Sequence, residues 1–332
     1  MAVFLPGNAT PTTLLGYGCS QLMGRHGERA SLALLDAAYD CGIRHFDVAP
    51  SYGFGAAERT LGKALRGKRD SVTLTTKFGL RPPRHQTLVA AARNLARPLV
   101  KLLPGVRRRL ARTSGALVSR ARFVPEELTR SLDASLAALR TDHIDVLLLH
   151  EATVDDLDDA LLGALESCVS AGKIAAFGIG SEAAAAGAVW HADRRFCPVL
   201  QFEWSVLSAA PPDYHGSFVI THRALSQSFT ALTAWLGTNP AIVRSWSDEL
   251  NMDVSAPGVL SRLMLTAART ANPTGIMLFS SSSTEHIRRN AAFLSEGPQP
   301  GPGTAFMRLV ARDARLLSQR ELTPDLVDAD RP

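Results

Sequence analysis

The feature that most limits the fold of this chain is an alternation of short apolar runs with longer segments of helical periodicity. Strands that alternate with helices indicate parallel strands joined by crossover helices. Eight runs have the length of strands, and they cover residues 14–18, 44–48, 72–77, 144–149, 174–179, 199–202, 218–220 and 275–279. Eight parallel strands favour a closed barrel over an open sheet, and no Gly-x-Gly-x-x-Gly phosphate loop follows the first run.

The pattern therefore predicts a single α/β domain over residues 1–332, a parallel eight-stranded (β/α)8 barrel of the TIM type. The 46% apolar composition is ample for its core. The segment after the sixth run, residues 203–217, is short for a crossover helix, which predicts a reduced helix 6. The Pro/Gly segment 297–303 predicts a connector to a C-terminal helix and tail, residues 304–332.

A basic insertion, residues 81–122, interrupts the pattern after the third run. It holds eleven Lys or Arg residues and no Asp or Glu, although the whole chain carries a net charge of +5. Its residues 88–103 predict an amphipathic cationic helix. A lid over a substrate cleft is the favoured interpretation, and such a lid would favour anionic substrates; a solvated loop and a membrane-surface or partner contact through residues 88–112 stay open. The cations carry no interleaved aromatic residues, which argues against nucleic-acid binding.

Ionisable side chains stand at three of the predicted strand ends, where barrel enzymes carry their chemistry. Asp47 is followed closely by Tyr52, and Lys77 and His150 stand at the next two ends. Each alone has a common structural explanation as a cap, a surface charge or a hydrogen-bonded histidine. Together they are chemically coherent, because an ammonium lowers the pKa of a phenol, a carboxylate keeps the ammonium charged, and a neutral imidazole donates to a substrate oxygen.

Here the chain resembles the aldo-keto reductase family. Residues 42–53 (GIRHFDVAPSYG) and 57–65 (AERTLGKAL) are similar to its signature, as are residues 75–79 and 131–150. The resemblance covers residues 14–294. It implies hydride transfer between a nicotinamide dinucleotide and a carbonyl or alcohol, with Tyr52 as the proton-transfer group. The implied catalytic tetrad is Asp47, Tyr52, Lys77 and His150.

The resemblance also implies a nicotinamide site after the fifth to seventh strands. Ser181 and Gln201 match the family's carboxamide contacts, although Glu182 replaces an Asn and cannot donate to an amide oxygen. Gln201 has an alternative interpretation as a polar residue of the barrel wall. In the loop 221–228, His222 can stack on the nicotinamide and Arg223 can pair with pyrophosphate, and Leu225 belongs to the same loop.

Residues 280–290 resemble the adenosine end of the family's site. Hydroxyls at a helix N-terminus form a phosphate cradle or an ordinary helix cap. The implied contacts are Ser281, Ser282, His286, Arg289 and Asn290. His286 stands where the family often has an Arg that grips the 2′-phosphate, and Arg289 can assist, so NADP(H) is favoured over NAD(H).

The predicted function is that of an oxidoreductase acting on a small carbonyl or alcohol, and the alternative is a nucleotide-sensing or partner-binding protein on the same scaffold. An intact tetrad favours the enzyme. The four cysteines are scattered, which fits neither a disulfide framework nor a zinc site, and no metal site is predicted. Without a secretory signal or a membrane-length apolar stretch, the cytoplasm is expected. No sequence feature indicates an oligomeric state.

Overall fold

Eight parallel strands close into a barrel in the computed structural model, which describes residues 2–23, 27–82, 119–295, 300–314 and 317. The barrel strands are β1 (Leu15–Gly18), β2 (His45–Asp47), β3 (Thr73–Phe78), β4 (Ile144–His150), β5 (Ile174–Gly180), β6 (Val199–Glu203), β7 (Phe218–His222) and β8 (Ile276–Phe279). Their order around the barrel follows their order along the chain, and β8 pairs with β1 to close it. The predicted barrel is confirmed.

Helices cover the outside of the barrel. Within the described residues they are α1 (Glu28–Asp40), α2 (Ala57–Ala64), α3 (Pro125–Leu139), α4 (Asp159–Ser170), α5 (Ala183–Ala192), α6 (Gln227–Gly237), α7 (Pro240–Leu250), α8 (Val259–Ala271), α9 (Thr284–Ala291) and α10 (Pro300–Asp313). Local sequence sets their ends. Pro125 lies in the first turn of α3 with Glu126 and Glu127, which suit the positive end of the helix dipole. The Asp158 carboxylate caps α4 by accepting from the Leu161 N–H at 2.7 Å.

An N-terminal ribbon, Ala2–Phe4 paired antiparallel with Pro11–Thr13, closes one end of the barrel. Leu5 from this ribbon's turn joins the apolar layer inside the barrel, whose strand residues are Val146, Leu148, Ala176, Val199, Ile220, Ile276 and Leu278. Gly7 has φ 68°, and a Cβ there would lie 2.4 Å from the Ala175 carbonyl oxygen. Only glycine allows the ribbon to approach the start of β5 this closely.

The connection between β6 and β7 contains no helix in the structure, which confirms the predicted reduction of helix 6. Side chains of this connection fill the space that a helix would cover. The Tyr214 ring packs edge-on against Trp190 of α5 and Phe202 of β6, with centroid separations of 5.4 and 5.5 Å. The Trp204 indole donates to the Ala209 carbonyl oxygen at 3.0 Å, which folds the connection onto itself.

The C-terminal helix differs from the prediction. Residues 297–303 were expected to form a connector, but α10 begins at Pro300, within them. Proline is tolerated in the first turn of a helix, where its missing N–H has no partner to lose. A Cβ on Gly303 would lie 2.2 Å from the Thr270 hydroxyl and 2.9 Å from the Thr266 carbonyl oxygen, so this glycine allows α10 to pack against α8. The predicted tail beyond residue 317 lies outside the described residues.

The basic insertion starts and ends as a short ribbon, in which Leu80–Arg81 pairs antiparallel with Ser119–Arg120. The Ala121 N–H donates to the Gly79 carbonyl oxygen at 2.6 Å, which fixes the ribbon beside the end of β3. Residues 83–118, with the predicted helix 88–103 and the lid interpretation, lie outside the described residues. Among the helices that the structure describes, none is long and apolar enough to cross a membrane.

Candidate active site

A cleft of about 770 Å³ opens at the carboxyl ends of the barrel strands, a volume within the usual range for ligand pockets. Parallel strands bring these ends together although they are far apart in the sequence. Of the residues predicted from the sequence, the cleft is lined by Asp47, Tyr52, Lys77, His150, Ser181, Gln201, His222, Arg223 and Leu225. The structure therefore gathers all four tetrad candidates and five of the proposed nucleotide contacts at one place.

A buried ion pair forms the base of the cleft. The Lys77 ammonium donates to Asp47 Oδ2 at 2.6 Å, and the two residues are only 2% and 3% exposed. Gln201, also buried, donates from Nε2 to the same Asp47 oxygen at 2.7 Å and accepts from the Lys77 ammonium through Oε1. Charges removed from water need such additional hydrogen bonds to remain stable.

Tyr52 reaches the cleft from the 3₁₀ turn that follows β2. Gly53 in this turn has φ 57°, and a Cβ there would lie 2.7 Å from the Leu22 carbonyl oxygen, so the turn requires glycine. The Tyr52 ring meets the His150 ring nearly at right angles, with centroids 6.2 Å apart. The phenol and the imidazole thus face the same part of the cleft.

Burial raises the pKa of the Tyr52 phenol well above its usual 10, and the nearby Asp47 carboxylate raises it further, while Arg223 opposes the shift. The sequence predicted the opposite, a pKa lowered by the Lys77 ammonium, and this prediction is wrong for the structure. The physical reason is that Asp47 pairs with that ammonium and balances its charge, so that desolvation decides the direction. Tyr52 consequently keeps its proton at neutral pH.

His150 and His222 are neutral imidazoles. Burial, and then the positive charge of Lys77, lower the pKa of each to about 3. The Nδ1 atom of His150 is buried and has no hydrogen-bond partner among the described residues. An unpaired polar atom removed from water is costly, because no hydrogen bond compensates for its lost hydration.

Three further carboxylates, Glu151, Glu182 and Glu203, line the cleft. Glu203 ends β6 and accepts from the Ala183 N–H at 3.1 and 3.2 Å, at the first residue of α5. Burial, and then the charge of Glu182, raise the pKa of Glu151. Glu151 and Glu203 were not predicted from the sequence, although both stand at strand ends, where the rule that found His150 applies equally.

The predicted adenosine end follows Ser280, which itself lines the cleft. The Ser283 hydroxyl accepts from the His286 N–H at 3.4 Å and caps α9, which confirms the helix-cap interpretation. Arg289 donates to the Glu285 carboxylate at 2.7 Å on the surface of α9. Ser281 is buried, Ser282 and His286 are exposed and Asn290 is half-buried. The phosphate cradle stays a prediction.

Solved structures share this fold over nearly the whole chain. The aldo-keto reductase AKR11C1 of Bacillus halodurans matches with a TM-score of 0.68 and 19% identity, covering 93% of this chain and 95% of that one. The glycerol dehydrogenase AKR11B4 of Gluconobacter oxydans matches with a TM-score of 0.69 and 17% identity over 95% and 96%. An aldo-keto reductase of Klebsiella pneumoniae in complex with NADPH matches with a TM-score of 0.65 and 21% identity over 94% and 95%. At these identities the likeness concerns the fold.

Curated relatives are more similar in sequence over a shorter region. The D-threo-aldose 1-dehydrogenase of a Pseudomonas species is 35% identical over 185 residues, which are 50% of this chain and 49% of that protein. The aldo-keto reductase yakc (NADP⁺) of Schizosaccharomyces pombe is 30% identical over 170 residues, 50% of this chain and 41% of that protein. The chain thus spans about half the length, or less, of the curated relatives it matches.

The model of the Aldo/keto reductase family matches residues 14–212, which contain the whole of strands β1 to β6 and all four tetrad candidates. That region is more than half of the chain. The resemblance found in the sequence is confirmed, and the protein belongs to the Aldo/keto reductase family.

Proposed function

We propose that this protein transfers a hydride between a nicotinamide dinucleotide and a carbonyl or alcohol substrate, with Tyr52 as the proton-transfer group. One observation carries the proposal. The buried Lys77–Asp47 ion pair lies at the base of the same cleft that Tyr52 and His150 line. A phenol, an ammonium, a carboxylate and a neutral imidazole together supply both a proton and hydrogen bonds to a reacting oxygen.

Each tetrad residue has a step that follows from its surroundings. Tyr52 holds its proton at neutral pH, because burial raises its pKa, and it delivers this proton to the substrate oxygen during reduction. His150 stays neutral, because burial lowers its pKa to about 3, and it orients that oxygen by a hydrogen bond. Asp47 holds the Lys77 ammonium at the base of the same cleft, among the groups that surround the reacting oxygen.

The polar side chains that line the cleft are of the kinds that bind a nicotinamide dinucleotide. Ser181, His222, Arg223 and Leu225 line its wall together with His150. In this proposal Ser181 holds the carboxamide, His222 stacks on the ring and Arg223 pairs with pyrophosphate. Arg223 has a left-handed φ of 65°, a conformation that is uncommon outside glycine and typical of functional loops. When bound, the dinucleotide supplies or accepts the hydride.

The test follows the absorbance of NADPH, and separately of NADP⁺, against a panel of aldehydes, ketones, sugars and alcohols. We expect Tyr52→Phe to lower turnover by at least about 10²-fold and to leave dinucleotide affinity nearly intact, because the lost hydroxyl acts in proton transfer. Tyr39→Phe is the matched control, since Tyr39 lies on α1 with its hydroxyl beside Ser71. Wild-type turnover in Tyr52→Phe would exclude the proposed donor, whereas tight dinucleotide binding without any turnover would favour the sensing or partner-binding alternative.

We propose NADP(H) as the preferred dinucleotide, gripped by His286 and Arg289 at its 2′-phosphate. The surface pair of Arg289 with Glu285 does not prevent this, because an exposed helical ion pair contributes only about 0.3–0.5 kcal/mol. Arg289→Leu should weaken the binding of NADPH and leave that of NADH unchanged in fluorescence titrations. Equal affinities of the wild-type protein for the two dinucleotides would refute the preference.

A preference for anionic substrates depends on the insertion's cations, most of which lie outside the described residues. The charges that line the cleft in the structure disfavour an anionic substrate, because carboxylates outnumber cations there. The carboxylates are Asp47, Glu151, Glu182 and Glu203, and the cations are Lys77 and Arg223. We therefore propose the preference only as a contribution of residues 81–122. A faster reaction with carboxylated aldehydes than with matched uncharged ones would support it, and the reverse order would exclude it.

A reducing compartment such as the cytoplasm is proposed for this protein. The support is that all four cysteines are free thiols in the structure, and three of them are buried. No disulfide forms among them, which suits a compartment where thiols remain reduced. Fractionation of the producing cells would test this placement.

A further inference from the structure

Resting on the proposed function, we infer that Arg120, at the base of the basic insertion, is a positioning residue for His150. Arg120 lies in the short ribbon where the insertion rejoins the barrel. Its guanidinium donates to the Glu151 carbonyl oxygen at 3.0 Å and to the Asp156 carboxylate. Glu151 directly follows His150, which is the last residue of β4 and the residue proposed to orient the substrate oxygen. Arg120 therefore holds the backbone immediately after that imidazole.

Three partners, the Glu151 carbonyl among them, fix the Arg120 guanidinium in one orientation. The Asp156 oxygen that it contacts is itself fixed, because it accepts from the N–H and the hydroxyl of Thr153, each at 2.7 Å. The guanidinium carbon lies 5.2 Å from the centroid of the Phe123 ring, and Phe123 is buried. A planar guanidinium can contact a carbonyl, a carboxylate and an aromatic ring at once, which a compact ammonium cannot do. This set of partners is therefore specific for arginine.

The backbone conformation of Glu151 explains why this contact matters. Glu151 has a φ of 58°, in the left-handed region that residues with a Cβ seldom adopt. Such a conformation persists only where surrounding contacts fix it. On one side of the residue, the Glu151 N–H donates to the Gly180 carbonyl oxygen of β5 at 2.9 Å. On the other side, Arg120 binds the carbonyl oxygen, so loss of the guanidinium would allow Glu151 to relax towards a common conformation.

Close packing against the end of β3 transmits a change at Glu151 to His150. A Cβ on Gly79 would lie 2.3 Å from the His150 carbonyl oxygen, so the peptide between His150 and Glu151 has no free space on this side. Because close-packed interiors transmit strain, a changed φ at Glu151 has to be accommodated by His150. The rings of His150 and Tyr52 have centroids 6.2 Å apart. A small rotation of the imidazole therefore changes its position relative to the proposed proton donor.

A second ion pair at the base of the insertion provides a matched control. Arg81, on the opposite strand of the ribbon, contacts the Glu127 carboxylate. The Arg81 and Arg120 side chains are 47% and 46% exposed, and their carboxylate partners are 18% and 15% exposed. Glu127 lies in the first turn of α3, whereas Glu151, which Arg120 holds, lines the cleft. Removal of either arginine should have a similar, small effect on stability, but only removal of Arg120 should affect the active site.

Steady-state kinetics compare Arg120→Met with Arg81→Met, since both substitutions keep an unbranched side chain and remove the charge. For Arg120→Met we expect a kcat about tenfold lower, because a slight misplacement of an orienting group is costly in catalysis. Its dissociation constant for NADPH, from tryptophan fluorescence quenching, should change less than about twofold, because the orienting bond acts on the substrate oxygen. Arg81→Met should leave both quantities unchanged, and the urea unfolding midpoints of the two variants should agree. Arg120→Lys keeps a charge for Asp156 and should recover part of the lost kcat.

An NMR measurement reports on His150 without any turnover. The imidazole signals of His150 are assigned by their absence from the spectrum of His150→Gln. They should shift in Arg120→Met and keep their positions in Arg81→Met, because a chemical shift reports the surroundings of the ring. Should Arg120→Met fail to fold, Arg120→Lys tests the same shift with the charge retained.

A double-mutant cycle shows whether Arg120 acts through the imidazole. If it does, Arg120→Met should lower kcat much less in a His150→Gln background than in the wild type, because residues that act as a unit have non-additive effects.

The outcomes distinguish this inference from the proposed function. Equal kcat values for Arg120→Met and Arg81→Met, or His150 signals that keep their positions in Arg120→Met, would overturn the positioning role. Full additivity in the double-mutant cycle would overturn it as well. If the wild-type protein turned over no substrate of the panel while the His150 signals shifted as expected, the proposed function would be refuted and the positioning of His150 by Arg120 would stand.

Discussion

Acid should destabilise this protein at a pH where its carboxylates are still ionised, because three histidines, one fully buried and two partly buried, resist protonation. His45, His150 and His222 each have a pKa lowered to about 3, by burial first and then by the charge of Lys77. In the unfolded chain an imidazole takes up its proton near pH 6.5. Since the unfolded state binds more protons than the folded state between these values, stability falls as the pH decreases from 6.5 towards 3.

The magnitude follows from proton linkage. Between pH 7 and pH 5, one imidazole that protonates only in the unfolded state lowers the free energy of unfolding by about 2 kcal/mol, and three lower it by about 6 kcal/mol. This result depends only on the folded pKa lying well below 5. Glu58 and Glu151 oppose the trend, because burial raises the pKa of each and lets the folded state bind protons. The expected loss is a large part of the 5–15 kcal/mol typical of folded proteins.

Urea unfolding followed by tryptophan fluorescence at pH 7, 6 and 5 measures this loss. The variant His45→Gln isolates one contribution, since His45 is fully buried and its ring contacts the hydroxyls of Thr73 and Thr75 at 2.9 and 3.3 Å. It should remove about 2 kcal/mol of the pH dependence, whereas the same substitution at the exposed His215 is the control. A total change below about 2 kcal/mol between pH 7 and 5 would refute the reasoning, because the folded state would then hold charged imidazoles.

Two structural predictions concern packing. Gly178→Ala should prevent stable folding, because its Cβ would lie 1.9 Å from the Val199 carbonyl oxygen between β5 and β6. Gly163→Ala is the control, because a Cβ there meets open space on α4. It should raise the free energy of unfolding by roughly 0.5–1 kcal/mol in thermal unfolding. Trp246→Ala should cost about 3–5 kcal/mol in urea unfolding, since this fully buried ring packs on Phe306 at 5.7 Å and anchors α10. A loss below 1 kcal/mol at Trp246 would show that α10 is held by other contacts.

The barrel strands were predictable because strands covered on both faces appear as short continuous apolar runs. Each predicted run overlaps a strand of the structure, and the differences are confined to the ends. The helices α6, α7 and α8, which together fill the connection between β7 and β8, were not predicted. Their local signals exist, such as Pro240 in the first turn of α7. No sequence pattern indicated that the connection between β7 and β8 would carry three helices and the connection between β6 and β7 none. Both arrangements cover the outer face of the barrel, so burial alone does not distinguish them.

The catalytic candidates were predictable for a different reason. The last residues of parallel barrel strands lie together at one end of the barrel. A polar residue at a strand end can therefore be predicted as a site residue without knowing its distant contacts. This rule and the family resemblance together found Asp47, Lys77 and His150. The direction of the Tyr52 pKa shift was not predictable, because it depends on how deeply the phenol is buried and on which partner neutralises Lys77.

The contacts of Gln201 could not be predicted from the sequence, because they depend on packing. The sequence left two interpretations, a polar residue in the barrel wall or a ligand contact, and both assume that the amide acts alone. Its partners are 124 and 154 positions away in the chain, and only the closure of the barrel brings them within hydrogen-bond distance. Once an ammonium and a carboxylate are buried together, their remaining hydrogen bonds must be satisfied by the nearest neutral polar group. The contacts of Gln201 with the ion pair are therefore visible only in three dimensions.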